Sequence, residues 1–129
     1  MPWVEIFAVF LVCHLVGDFV MQTDWQAAHK HGGLRNSVSR GALVAHVCSY
    51  TLTFVPAFVW LSDSLGAGVL WLAALIAGPH LVQDDGYLLD RFMISVKRAD
   101  PREHRGLTIT VDQVFHVVAL FFTALVAAS

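Results

Sequence analysis

Long apolar runs alternate with short polar connections along the chain. Residues 41–62, 64–83 and 113–129 carry no charged side chain and are 22, 20 and 17 residues long. A membrane-crossing helix needs about 20 predominantly apolar residues. A fourth stretch, 3–22, reaches that length once Glu5, His14 and Asp18 are accepted inside it. No basic region precedes it and no small-residue cleavage motif follows, so it reads as a span and not as a signal peptide. The pattern predicts transmembrane helices at about 3–23, 40–61, 65–90 and 108–128. The expected fold class is all-α, a four-helix transmembrane bundle forming one polytopic domain over 1–129. Pro56 and Pro79 fall inside these helices and are expected to kink them, Pro79 just before His80.

Composition narrows the function classes. Of 129 residues, 57% are hydrophobic and 14% charged, against about 25% charged in an ordinary water-soluble domain. Lys and Arg number 8 against 10 Asp and Glu, which removes the basic excess a nucleic-acid binder needs. The lipid bilayer is the first expected partner. Cys13 and Cys48 lie in apolar runs and read as small buried apolar residues, not as a disulfide.

Charge sets an orientation. All eight Lys and Arg sit at or between predicted helices one and two, or three and four. The positive-inside rule then places both basic loops in the cytoplasm and both termini outside. Trp3, Trp60 and Trp71 fit the outer interface, and Trp25 and Tyr87 the inner one.

The informative residues are the ionisable ones within the spans. An Asp at the centre of a membrane helix costs about 2.5–3.5 kcal/mol on insertion scales. Three helices nevertheless carry a His and an Asp four apart: His14 and Asp18, His80 and Asp84, Asp112 and His116. Residues four apart share a helix face. The last pair is reversed in sequence, and its helix runs the opposite way. Each Asp is therefore nearer the cytoplasm and each His about 6 Å deeper, at 1.5 Å per residue. His46, about 9 Å into the second helix, falls at similar depth. The expected arrangement is a layer of four imidazoles, His14, His46, His80 and His116, beside a layer of three carboxylates.

Imidazole and carboxylate together suit a divalent metal, zinc ahead of manganese or iron(II), as one ion or two. No Lys or Arg stands among the three carboxylates within the spans, so a cation is the expected counter-charge. All seven residues are candidate ligands, and Asp18, Asp84 and Asp112 are candidate bases for hydrolysis. Gln22, Lys30 and Gln113 are candidate substrate contacts. His29, His31 and His104 read as solvated loop residues. Three alternatives stay open: a metal-ion or proton transporter or relay, a purely structural hydrogen-bond network, and a non-enzymatic membrane partner such as a phage-encoded envelope modifier. Haem ligation is disfavoured, since it leaves three aspartates without a partner. Homo-oligomerisation through helix faces is also open.

These pieces, His14-Leu-Val-Gly17-Asp18-Phe19 with Gln22, Thr23, Asp24, Ala27 and Lys30, then His46, His80 with Asp84, and Asp112-Gln113-Val-Phe-His116, carry a resemblance. The chain resembles the small bacterial and phage-encoded polytopic membrane proteins catalogued as a domain of unknown function. More distantly it is similar to inner-membrane proteins labelled metal-dependent hydrolases. The resemblance implies a bacterial inner-membrane location, and the distant one a hydrolase acting on a lipid, lipid-linked or membrane-proximal substrate. Either Asp84 or Asp85 fills the third-helix carboxylate position.

Overall fold

A computed structural model describes residues 1–129 and is all-α, with seven helices and no strand. They are α1 (Trp3–Leu15), α2 (Asp24–His29), α3 (Ser37–Leu52), α4 (Val55–Leu65), α5 (Gly68–Asp84), α6 (Tyr87–Phe92) and α7 (Arg105–Ala128). Two π-helical turns, Val16–Val20 and Met93–Lys97, extend α1 and α6. Helix α7 packs against both α1 and α5, and α3 packs against α5 and α2.

Two of the four expected continuous helices, the second and the third, are divided. The second breaks at Thr53 and Phe54, because Pro56 has no N–H to donate and its ring crowds the carbonyl of Leu52. Helices α3 and α4 meet at a bend of 56°. The second helix also begins earlier than expected, at Ser37, because the Asn36 side chain accepts the Ser39 N–H at 2.9 Å. The third breaks at Gly86, whose φ of 86° turns the chain out of α5 and into α6. Pro79 does not end its helix: α5 runs through it.

Two segments, Trp3–Val20 and Arg105–Ala128, are long and apolar enough to cross a membrane, and the bent α3–α4 pair makes a third if it is one span. Helix α5, at 17 residues, is about 26 Å long. The packing has an inverted polarity. Large apolar side chains such as Val12, Leu70, Trp71 and Phe122 are exposed, while His14, Asp18, Lys30, His46, His80, Asp84 and His116 are buried. Such an outer surface is expected where lipid is the solvent. One half of the interior is apolar: Ile6, Phe10, Phe54, Ala57, Leu61, Leu72, Ile76, Leu120 and Ala124 form a closed cluster. The polar groups occupy the other half. Cys13 belongs to the apolar cluster as expected, but Cys48 is exposed, on the outward face of α3.

Candidate metal centre

The π turn at Val16–Val20 carries Asp18. Such turns widen a helix locally and recur at functional sites. Thr53 Oγ donates to the Cys13 carbonyl at 3.0 Å, just before the winding changes. Gly17 lies against the Tyr50 ring: a Cβ there would stand 2.6 Å from a ring carbon, so a side chain would push the two helices apart.

Helices α1, α3, α5 and α7 bring the four expected histidines into one contiguous layer. Ring centroids are 5.0 Å apart for His46 and His80, 4.7 Å for His80 and His116, and 5.4 Å for His116 and His14. All four are buried. Within this layer Asp18, His46, His80 and Asp84 each aim one ligand atom at a common point. His46 Nε2 lies 3.1 Å from Asp18 Oδ1 and 2.8 Å from Asp84 Oδ2. His80 Nε2 lies 3.4 Å and 3.2 Å from the same two oxygens. The two Nε2 atoms are 3.0 Å apart. Ligands around a tetrahedral ion with bonds of 2.0–2.1 Å stand about 3.3–3.4 Å from each other; the 2.8–3.4 Å spacings here are compatible with one shell of ligands and also with direct hydrogen bonds. Asp18 Oδ1 is buried and accepts no hydrogen bond of good geometry, as a ligand oxygen would.

A second group comprises Asp84, Asp112 and His116. His116 Nε2 lies 3.0 Å from Asp84 Oδ1, and its Nδ1 is 2.7 Å from the Asp112 carbonyl and 3.7 Å from Asp112 Oδ1. Asp84 thus turns one oxygen to each group. Asp112 is the most exposed of the three carboxylates, with 20% of its side chain accessible.

Asp84 and Asp85 face different ways. Asp84 is 2% exposed and faces three histidines. Asp85 faces outward and pairs with Arg35 at 2.7 Å.

Three of the remaining candidates have specific positions. Lys30 is buried, and its Nζ donates to Asp84 Oδ2 at 2.8 Å and to Gln22 Oε1 at 2.7 Å. This corrects the expectation that no cation stands among the carboxylates. Lys30 enters from the connection after α2 and not from a span, which is why inspection of the apolar runs alone misses it. Gln22 holds Lys30 and donates to the Asp18 carbonyl at 3.4 Å. Gln113 lies between His14 and Asp18. His14 stands outside both ligand groups, its nitrogens facing Tyr50 and Gln113. Tyr50 was absent from the expected site. Its signal is its spacing, four residues after His46 on the same face of α3.

No curated protein and no solved structure matches the chain. A family does, described as Protein of unknown function (DUF3307), over residues 6–129. With nearly its whole length matched, the chain belongs to that family.

Proposed function

We propose that this chain is a multi-pass protein of the bacterial inner membrane, a single four-span domain with both termini outside and basic loops cytoplasmic. Its buried centre binds one or two divalent ions, zinc ahead of manganese or iron(II). It hydrolyses a lipid, lipid-linked or other membrane-proximal substrate at the cytoplasmic leaflet. The observation that carries this reading is the 2.8–3.4 Å spacing among four buried ligand atoms from two helices, α3 and α5, and a π turn.

Charge supports it. Three carboxylates share one buried ammonium, so with neutral imidazoles the centre keeps excess negative charge that a divalent cation would balance. Asp18, His46, His80 and Asp84 would hold the first ion. Asp84, Asp112 and His116 would hold a second. Such an ion supplies Lewis acidity and a hydrolytic nucleophile at neutral pH. Asp112, at the more open edge, would take up a proton when no second ion holds it. Lys30, buried and engaged by Asp84 and Gln22, would meet an anionic group of the substrate once an ion takes its place at Asp84. The apolar cluster beyond the histidines closes the far side, which favours a one-sided site over a transport path.

One observation favours a second reading, a metal-free relay or structural network: Lys30 neutralises Asp84 without any ion. Elemental analysis of detergent-purified protein separates the two. A stoichiometric transition metal, lost in His46→Ala and His80→Ala, is the expected result. Native protein without metal, its stability unchanged by chelator or added zinc, overturns the metal centre and leaves the network.

A further inference from the structure

Two buried groups have no role in binding the ion as described, Tyr50 at 1% exposure and His14 at 0%. They are joined. Tyr50 Oη lies 3.0 Å from His14 Nδ1, His14 Nε2 lies 2.9 Å from Gln113 Oε1, and Gln113 Nε2 lies 3.2 Å from Asp18 Oδ2.

Donor and acceptor rules give this series one direction. An ionised carboxylate only accepts, so the Gln113 amide nitrogen faces Asp18 and its oxygen faces His14. An amide oxygen only accepts, so His14 carries its proton on Nε2. In neutral His14 the Nδ1 is then a bare acceptor, and the Tyr50 hydroxyl donates to it. Neither nitrogen of His14 keeps a lone pair for a cation.

We infer that Tyr50, His14 and Gln113 form a one-way hydrogen-bond chain that sets the Asp18 carboxylate, holding Oδ2 so that Oδ1 is presented to the ion. His14 is a positioning residue and not a ligand. The inference rests on the metal centre proposed above and assigns its outer support. Partners of this kind hold ligating groups in orientation at metal sites generally. Tyr50 also braces the centre through its ring, which lies on His80 with centroids 3.5 Å apart and planes 6° from parallel. Its hydroxyl and its ring thus serve different ligands.

That division supplies the test. Tyr50→Phe keeps the ring on His80 and removes only the donor to His14. Full-length protein in detergent, labelled with ¹⁵N-histidine, is measured by NMR without metal and after loading with ¹¹³Cd²⁺. Before loading, His14 is expected as the Nε2–H tautomer alone. After loading, cadmium–nitrogen coupling is expected at His46 and His80 and not at His14. In Tyr50→Phe the Nε2–H tautomer is kept by Gln113, but the His14 Nδ1 resonance moves as its donor is lost, and cadmium affinity falls about 10- to 100-fold, the usual range for such supporting partners. Gln113→Leu lowers affinity by a similar factor.

A merely structural Tyr50 would leave the Nδ1 resonance unmoved. Coupling at His14, an Nδ1–H tautomer in the native protein, or Tyr50→Phe with unchanged Nδ1 resonance and affinity overturns the inference. If the native protein takes up no cadmium, the metal centre fails separately. The metal-free tautomer still decides the chain: Nε2–H retains it as the support of Asp18, and Nδ1–H ends it.

Discussion

Lys30 and Asp84 are 54 residues apart in sequence and 2.8 Å apart in space, both buried. The ammonium and the histidines compete for one carboxylate oxygen, since Asp84 Oδ2 also lies 2.8 Å from His46 Nε2. Lys30 therefore occupies part of the electrostatic place that a divalent ion would fill.

Lys30→Met tests that competition. Removing one partner of a buried ion pair costs about 3–5 kcal/mol when nothing replaces it. The melting temperature of the variant in detergent should fall sharply in chelator. Added zinc should restore much of it, because the ion then balances Asp84. An equal loss with and without zinc would show that the ammonium does not share its place with a cation.

The adjacent aspartates should behave differently. Asp84→Asn disturbs contacts to three histidines and Lys30, and is expected to abolish metal content and lower stability strongly. Asp85→Asn removes a largely exposed pair with Arg35. Pairs of that kind contribute about 0–1 kcal/mol. Metal analysis of Asp85→Asn should match the native protein.

Asp84 turns one oxygen to each ligand group, so the groups can be separated by mutation. His116→Ala should lose the second ion and keep the first, whereas His46→Ala should lose the first. Titration calorimetry with zinc counts the sites. A single site in the native protein, undiminished in His116→Ala, would reduce the centre to one ion.

Gly33 has φ of 59°, and a Cβ there would overlap the Asp85 carboxylate. Gly33→Ala is expected to cost about 1 kcal/mol or more from backbone strain alone. It should also lift the connection that carries Lys30. The double variant Gly33→Ala, Asp85→Ala should recover the part due to overlap and not the part due to φ. A melting-temperature cycle reads both.

That the seven His and Asp side chains face one another was legible from helical spacing and antiparallel helix order; that His14 falls outside both ligand groups was not. The choice between Asp84 and Asp85 was not, because it depends on where α5 ends, and that end is set by Gly86 and the Arg35 contact. Lys30 was legible as a cation but not as an interior one. Its position requires the chain to fold back over α5 through Gly32 and Gly33. Tyr50 sits in an apolar run, where an aromatic that packs and one that donates a hydrogen bond look alike. The bend at Pro56 was legible, since a proline kink was expected there and α3 meets α4 at 56°; the break at Gly86 was not, because the apolar run through Leu88 and Leu89 continues a span by composition whether or not the backbone continues. Pro79 differs from Pro56 in that α5 continues through it without a break.

The wider winding at Val16–Val20 makes the first span unusual in its tolerance to length. Losing one residue from an ordinary helix rotates everything beyond it by about 100°. Here a surplus residue is already stored in the turn. Its loss would relax the turn to regular winding, leaving Gln22 and Lys30 in register while retracting Asp18. Chain length in this segment therefore governs one carboxylate independently of the segment that follows it.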